Sequence, residues 1–175
     1  NAPPIVRPQA GIGAADIVYE HYAEGGLTRF SAIYYGQAPD RVGSIRSARL
    51  IDYELVPMYR ALLAFSGASI GVEERLNASE FADRLYKGVI FGLPYYWRDE
   101  EIDVPHNLFV NPNAIWQLAA QQGVNDRPRL NGLAFLPVPP PGSSGAATRL
   151  DLRYRATRLL WLYDAASGRY WRYSD

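Results

Sequence analysis

Alternating polar and apolar residues run on either side of Gly25-Gly26, and this pattern predicts a β-hairpin with the two glycines as its loop. The expected strands cover residues 17–23 and 27–36. Successive side chains of a strand point to opposite faces, so the two faces of this hairpin differ in composition. One face is mainly charged and carries Glu20, Tyr22, Glu24 and Arg29. The other face is mainly apolar and is expected in the core: Ile17, Tyr19, His21, Phe30, Ala32 and Tyr34.

The residues after the hairpin predict a helix whose first turns are rich in arginine. Ser44 or Ser47 suits the N-cap position, and Pro57 disfavours continuation of the helix past the residue before it. Arg46 and Arg49, three residues apart, are then neighbours in the first turns. Cations oppose the helix dipole at this end, whereas the backbone N–H groups there attract anions. Two arginines in this position therefore indicate a bound anion or carboxylate.

Three interpretations of the arginine pair remain open. Glu20 and Glu24 can supply the carboxylate, and the pair is then part of an internal Arg–Glu network that joins hairpin and helix. An external anionic ligand is the second interpretation, and solvated surface charge is the third. Arginine binds carboxylate and phosphate through two parallel hydrogen bonds, which suits it to either of the first two roles.

The middle of the chain predicts short strands and helices. Residues 61–65 are a short apolar run typical of a buried strand, and residues 87–91 are predicted to form another strand. Helices are predicted near residues 71–77 and 79–85. A longer helix is predicted from Asn111 to Gln122, between an N-capping asparagine followed by proline and a terminating glycine. The expected fold class is α+β (mixed α/β): a sheet that includes the N-terminal hairpin, flanked by about three helices, with a β-rich C-terminal piece.

A segment rich in proline, glycine and serine divides the chain. Residues 137–149 are predicted to be a linker after an N-terminal domain of residues 1–136. Residues 150–175 contain strand-like runs, Leu150 to Tyr163 and Arg169 to Tyr173, and are predicted to start a small β-rich domain that is cut short. A lone hairpin is marginally stable in water, so these strands must pack on other structure.

Composition excludes several classes of function. The 175 residues carry no net charge, so nothing draws the whole chain to nucleic acid or to an anionic membrane. The absence of cysteine excludes disulfides, thiol catalysis and cysteine metal sites. No apolar run approaches the roughly 18 residues that span a bilayer. The first four residues, Asn1 to Pro4, are typical of a trimmed mature segment, so an export signal or lipid anchor is expected to have been removed.

A polar and aromatic loop between residues 95 and 107 supplies further candidates for a binding site. Trp97 and Arg98 open it, and His106 and Asn107 close it. A loop histidine beside asparagine suits a general base, a group that orients a ligand, or a metal ligand. The other histidine, His21, is predicted to be a hydrogen-bonded core residue. No pair of histidines has metal-ligand spacing, and neither a metal nor a cofactor is expected.

Several of these motifs, taken in order, resemble the YerB-like domain of unknown function. The matching runs are residues 7–11 (RPQAG), 16–20 (DIVYE), 24–30 (EGGLTRF), 42–49 (VGSIRSAR), 97–98 (WR) and 105–108 (PHNL). The resemblance covers roughly residues 5 to 125, and residues 150–175 resemble the opening of the family's smaller C-terminal domain. It implies a bacterial envelope lipoprotein whose anchoring cysteine precedes the mature domain, and it implies no particular biochemical activity.

The leading hypothesis is an extracytoplasmic binding protein of the bacterial envelope, anchored to the cell membrane only by a lipid anchor that is absent from this chain. Its expected partner is an anionic small molecule, a cell-wall fragment or an envelope protein, and not nucleic acid. The expected ligand-binding residues are Glu20, Glu24, Arg29, Arg46, Arg49, Trp97, Arg98, His106 and Asn107. The alternatives are a hydrolase of envelope material that uses Glu20 or Glu24 with His106, and a structural scaffold in which the charges are internal. The sequence leaves open whether the protein is an enzyme.

Overall fold

A computed structural model describes residues 6–138, 140–142, 145 and 147–175. These residues form an α+β fold with three α-helices and ten strands, as the sequence predicts. The chain divides into two compact units. Among the described residues, the larger unit contains residues 6–19 and Phe30–Arg129, and the smaller unit contains Glu20–Arg29 and Leu130–Asp175.

The N-terminal hairpin is present, but its loop is one residue longer than predicted. Strand β1 covers Ile17–Tyr22 and strand β2 covers Thr28–Ile33. The Ala23 N–H donates to the Leu27 carbonyl, and the three residues between them form a tight turn. The predicted two-residue loop is therefore wrong. Three-residue hairpin loops with glycine in the left-handed region are a common alternative, and Gly25 has φ 77° here.

The longer loop changes which side chains of the hairpin share a face. The Thr28 hydroxyl donates to the Glu20 carboxylate at 2.7 Å, so these two side chains lie on the same face. Arg29 follows Thr28 in the strand and therefore points to the opposite face, against the prediction that it lies with Glu20. A slip of one residue in register exchanges the faces of a whole strand. The predicted apolar face is also less buried than expected, because no residue of β1 or β2 is fully buried.

Helix α1 covers Asp52–Tyr59 and begins later than predicted. Arg46 and Arg49 thus precede the helix instead of lying in its first turns, and the predicted position is wrong. The backbone around Arg46 is already bonded to two distant segments of the chain: the Ile45 N–H donates to the Leu108 carbonyl, and the Arg46 carbonyl accepts from the Ser66 N–H. Those bonds hold the segment extended and exclude a helix there.

Helix α1 also ends later than predicted. Pro57 lies inside its last turn, and the helix ends at Arg60, which adopts a left-handed conformation. A proline removes one hydrogen bond from a helix, and so close to the C-terminus the remaining bonds still close the last turn. The expectation that the helix stops before Pro57 is therefore wrong.

Two small sheets form the frame of the larger unit. Strands β3 (Val42–Gly43), β6 (Tyr96–Arg98) and β7 (Leu108–Val110) make an antiparallel sheet in the order β3-β7-β6. Strands β4 (Leu63–Phe65) and β5 (Leu85–Lys87) form a parallel pair. Parallel strands need a crossover connection, and helix α2 (Ile70–Asn77) lies within it. The helix predicted near residues 79–85 is only a 3₁₀ turn at Ala82–Arg84.

Helix α3 (Pro112–Gln121) covers one side of the antiparallel sheet and confirms the predicted helix. The Asn111 side chain caps it by accepting from the Ala114 N–H. Ile115 and Ala119 on its inner face pack in the main core cluster. The other buried members of this cluster come from the strands: Tyr86, Tyr96, Leu108 and Val110.

The smaller unit contains a three-stranded antiparallel meander. Its strands are β8 (Arg149–Arg153), β9 (Arg158–Asp164) and β10 (Arg169–Ser174). The run from Leu150 to Tyr163 is therefore two strands joined by a turn, in which Tyr154 N–H donates to the Thr157 carbonyl. Four positions of the predicted linker lie outside the described residues: Pro139, Ser143, Ser144 and Ala146. The predicted domain boundaries stay a prediction.

Candidate functional site

The arginine pair lies in the segment of the larger unit that joins its two sheets. The Ile45 N–H donates to Leu108 of β7, and the Ala48 N–H donates to Gly67 in the loop after β4. Gly43 makes this close approach possible, because a Cβ at that position would lie 2.7 Å from the Phe109 ring. The backbone that carries Arg46 is therefore fixed on both sides.

Arg46 is a half-buried cation bonded to a neutral group. Its Nη1 donates to the Pro105 carbonyl at 2.7 Å. Burial lowers the pKa of Arg46 below its ordinary value, and the positive charge of Arg49 lowers it further. An arginine stays charged even so. The positively charged side chains of Arg46 and Arg49 thus lie near one another, and that of Arg46 is partly shielded from water.

No ion pair that the structure shows among the described residues includes Arg46. The cations of the ion pairs within the two units include Arg41, Arg60, Arg84, Lys87, Arg149, Arg158 and Arg172. A half-buried guanidinium is normally compensated by an acceptor that carries charge. The Pro105 carbonyl satisfies one of its five N–H donors and supplies no charge.

Arg49 folds back onto its own chain, where its Nη1 donates to the carbonyls of Ser47 at 3.0 Å and Ala48 at 2.9 Å. Its backbone N–H donates to the carboxylate of Asp52 at 2.7 Å, and the Ser31 hydroxyl donates to the same carboxylate at 3.1 Å. Asp52 is buried and is the first residue of helix α1, where a negative charge is favourable. Asp52 therefore fixes the turn that presents Arg49, a role that the sequence analysis did not assign to it.

The loop before β7 brings two more predicted residues together. Arg98 Nη1 donates to the Asn107 side-chain oxygen at 2.7 Å, and Asn107 is buried. The Asn107 carbonyl accepts from the Asp99 N–H, and the backbone N–H of His106 donates to the backbone carbonyl of Asp103. Pro105, the partner of Arg46, directly precedes His106. The structure therefore links Arg46 to the loop that carries His106 and Asn107.

Trp97 belongs to a packed cluster on the other face of the antiparallel sheet. Its ring stacks on Phe109 with centroids 6.2 Å apart, and the Arg41 guanidinium lies 3.8 Å from the centroid of Phe109. Arg41 is also paired with Asp99 at 2.6 Å. Sequence reasoning missed Arg41, because nothing in the local pattern indicates a cation stacked on a ring so distant in the chain.

Three predicted residues, Glu20, Glu24 and Arg29, belong to the smaller unit. Glu20 accepts two hydrogen bonds from Arg172, at 2.8 Å from Nε and at 2.6 Å from Nη2. This is the bidentate geometry in which arginine binds carboxylate most strongly. Glu24 begins the three-residue loop, and Arg29 lies on the opposite face from Glu20. A single cluster of these three residues with Arg46 and Arg49 stays a prediction.

The described residues contain neither a cluster of metal ligands nor a membrane-spanning helix. No group of three histidine, aspartate or glutamate side chains there could hold a metal ion. None of the helices described is both long enough and apolar enough to cross a membrane.

Comparisons with known proteins agree with the motifs. Residues 1–125 match the model of the family described as "Protein of unknown function (DUF3048) N-terminal domain". The chain is 36% identical over 135 residues to the "Putative lipoprotein YerB" of Bacillus subtilis (strain 168), an alignment that covers 77% of this chain and 40% of the relative. It is also similar to the crystal structure of the YerB protein from Bacillus subtilis, with a TM-score of 0.78 and 31% identity.

The structural match covers all of this chain and 59% of the solved chain. This chain thus spans less than two thirds of the length of either relative. The family match, the identity to the curated relative and the match of the fold all point the same way: the chain belongs to the YerB-like family defined by the DUF3048 N-terminal domain.

Proposed function

We propose that this chain is the ligand-binding part of an extracytoplasmic protein tethered to the membrane of a bacterial cell, and that it binds an anion at Arg46 and Arg49. The relative from Bacillus subtilis carries the name "Putative lipoprotein YerB", which supports the tether. The anion carries a carboxylate or a phosphate. A cell-wall fragment and an acidic segment of an envelope protein both have this chemistry.

The half-buried Arg46 carries the proposal. It lies beside a second cation, and its hydrogen bond goes to a carbonyl instead of a carboxylate. A bound anion would give Arg46 a negatively charged partner, and a guanidinium can offer it two parallel hydrogen bonds. Because β7 and the loop after β4 hold the backbone on both sides, the ligand would not have to order it on binding.

The other predicted site residues of the larger unit would support binding at the arginines: Trp97, Arg98, His106 and Asn107. Arg98 and Asn107 hold each other, and their hydrogen bond stiffens the loop next to His106. His106 would orient the ligand through its ring. Trp97 would act indirectly, because its ring is part of the packed cluster with Phe109.

The hydrolase remains the alternative, and one observation weighs against its use of Glu20. Both carboxylate oxygens of Glu20 accept hydrogen bonds from Arg172, so this carboxylate is committed as an acceptor. A general base needs a free oxygen within reach of the proton that it removes. Glu24 with His106 is the remaining pair. Incubation of the protein with peptidoglycan, followed by mass spectrometry, would reveal turnover that disappears in His106→Ala.

Calorimetric titration with peptidoglycan fragments tests the binding proposal. The double variant Arg46→Ala, Arg49→Ala is expected to lose at least about tenfold in affinity, since each charge-assisted hydrogen bond contributes roughly 1.5–3 kcal/mol. Arg46→Lys is expected to bind with intermediate affinity, because lysine keeps the charge and loses the paired hydrogen bonds. Arg129→Ala is the matched control, an exposed arginine of the same unit.

Two results would count against the proposal. Unchanged affinity in the double variant would remove the arginines from the binding site. Loss of the folded state in that variant, followed by circular dichroism, would favour the internal Arg–Glu network instead.

A further inference from the structure

The loop between β5 and β6, residues 88–95, exposes aliphatic side chains from a firmly folded backbone. Ile90 is 72% exposed and Leu93 is 79% exposed, and Val89 is exposed to a similar degree. The intervening Phe91 points inward instead, and its ring contacts those of Tyr86 and Tyr95 at centroid distances of 5.4 Å and 6.0 Å. The loop therefore places one aromatic ring in the core and three aliphatic groups in solvent.

Hydrogen bonds within the loop hold it in this shape. The Ile90 N–H donates to the Lys87 carbonyl, and the N–H groups of Tyr95 and Tyr96 both donate to the Gly92 carbonyl. The Gly88 N–H donates to Phe65 at the end of β4. The exposure of Val89, Ile90 and Leu93 is therefore a property of the folded loop and not of a frayed segment.

A fourth exposed aliphatic residue, Ile70, follows the strand that pairs with β5. Strands β4 and β5 are parallel, so the segments that follow them leave the same edge of the pair. Helix α2 begins after β4 with Ile70, which is 80% exposed, and the loop begins directly after β5. No charged residue occurs from Gly88 to Trp97. The loop of residues 88–95 can therefore enter an apolar phase without burying an ion of its own.

We propose that the loop of residues 88–95 is a membrane-contact element that inserts Val89, Ile90 and Leu93 into the interfacial region of a lipid bilayer. The inference rests on the tether in the proposed function, because a lipid-anchored chain always has a bilayer within reach. It is independent of the anion site. A tether alone fixes the distance of a protein from the membrane, whereas a second contact fixes which face points toward it. Aliphatic loops on a rigid support suit that contact, since their transfer from water is favourable and needs no matching partner.

The chain lacks cysteine, so a single introduced cysteine can carry a polarity-sensitive fluorophore. The test uses Ile90→Cys labelled with NBD, in the full chain, held by an N-terminal histidine tag on vesicles of phosphatidylcholine that contain a nickel-chelating lipid. Glu100→Cys is the matched control, because it is exposed and follows the opposite end of β6. The proposal predicts a blue shift and at least about a twofold rise in emission at position 90, with no change at position 100.

A second variant separates insertion from mere proximity. Val89→Ser with Leu93→Ser, in the chain labelled at position 90, is expected to remove most of the emission change while the tether remains. An unchanged spectrum at position 90 on vesicles would overturn the proposal and assign the exposed edge to a protein partner. Equal changes at positions 90 and 100 would also overturn it. Anion titrations of the same labelled chain report on the proposed function separately, so failure of one does not imply failure of the other.

Discussion

Glu20 and Arg172 form a bidentate ion pair between the hairpin and the last strand of the smaller unit. The Glu20 side chain is 11% exposed and the Arg172 side chain is 25% exposed, so the pair is only partly screened by water. Thr28 donates a third hydrogen bond to the same carboxylate. Removing one partner would leave the other partly buried charge without its counter-ion.

Arg172→Ala is therefore expected to lower the free energy of unfolding by about 1–3 kcal/mol, the range for a charged hydrogen-bonded pair. Glu20→Ala should have a similar effect. Because both changes remove the same interaction, the double variant should cost less than the sum of the two. Urea unfolding, followed by tryptophan fluorescence, measures all three, with Arg153→Ala as a control on an exposed arginine of β8. Strict additivity would show that the pair does not couple.

The carboxylate of Asp16 makes the stability of the larger unit depend on pH. Its carboxylate accepts the backbone N–H groups of Tyr35 at 2.7 Å and Gly36 at 3.0 Å. These hydrogen bonds, the one from Tyr35 first, hold the pKa of Asp16 below its ordinary value. A carboxyl group with a lowered pKa in the folded state stabilises the protein above its unfolded pKa of about 3.9, and that stabilisation is lost as the pH falls through the lower folded value.

The variant Asp16→Asn removes this titration. The wild type should exceed it in stability at pH 6 by less than about 1 kcal/mol, because the carboxylate is exposed and solvent weakens its bonds. The difference should shrink steadily below pH 4. Urea midpoints between pH 2.5 and pH 7 would measure it, and a difference that stays constant over that range would contradict the assignment.

At the level of elements, the hairpin loop depends on two glycines that differ in their surroundings. Gly25 and Gly26 both have positive φ, at 77° and 83°. A Cβ on Gly25 would meet nothing within 4 Å, whereas a Cβ on Gly26 would lie 2.6 Å from the Cβ of Arg155 and 2.7 Å from the Ala156 N. Gly26 also accepts a hydrogen bond from the Ala156 N–H. A substitution at Gly25 therefore measures backbone strain alone, whereas one at Gly26 measures backbone strain together with steric crowding.

Gly25→Ala is expected to cost about 1–2 kcal/mol, the strain of an L-residue in the left-handed region. Gly26→Ala should cost clearly more, because the backbone of the β8–β9 turn must also move. Thermal or urea unfolding of the two variants gives the comparison directly. Equal costs would show that the turn yields freely at residue 26.

The helix predicted to contain Arg46 and Arg49 shows why a local pattern can misplace an element. Ser44 and Ser47 are suitable caps, and the arginines have good helix propensity, so the sequence predicts a helix there. In the structure the same backbone bonds to β7 and to the loop after β4. Helix propensity is a weak preference, and such tertiary hydrogen bonds outweigh it. These partners lie about 20 and 60 residues along the chain and leave no local trace.

At the scale of the whole molecule, the reliable predictions are those with local causes. Helix α3 follows from its own cap and terminating glycine, and the α+β class follows from the alternation of short runs. The one-residue slip in the hairpin had a local cause too, but two-residue and three-residue glycine loops have similar sequences. The partner of Glu20 could not be predicted, because Arg172 is 152 residues away.

In the candidate site, too, the sequence predicts the features with local causes and misses the contacts between distant residues. The sequence singles out Arg46, Arg49, Arg98, His106 and Asn107 as residue types, and the structure adds their contacts. Pro105 as the partner of Arg46, and Asp52 as the group that fixes Arg49, come from backbone and tertiary geometry. A backbone carbonyl is invisible to any pattern of side chains. The charge balance around Arg46 could therefore be assessed only in three dimensions.

The central claim is that Arg46 and Arg49 bind an anion together, and NMR detection of arginine side-chain N–H signals tests it most directly. Titration of the labelled protein with inorganic phosphate should give saturable shifts at Arg46 and Arg49. Arg41 should not shift, because Asp99 already pairs with it. Small shifts of equal size at Arg46, Arg49 and the exposed Arg129, rising linearly without saturation, would contradict the claim.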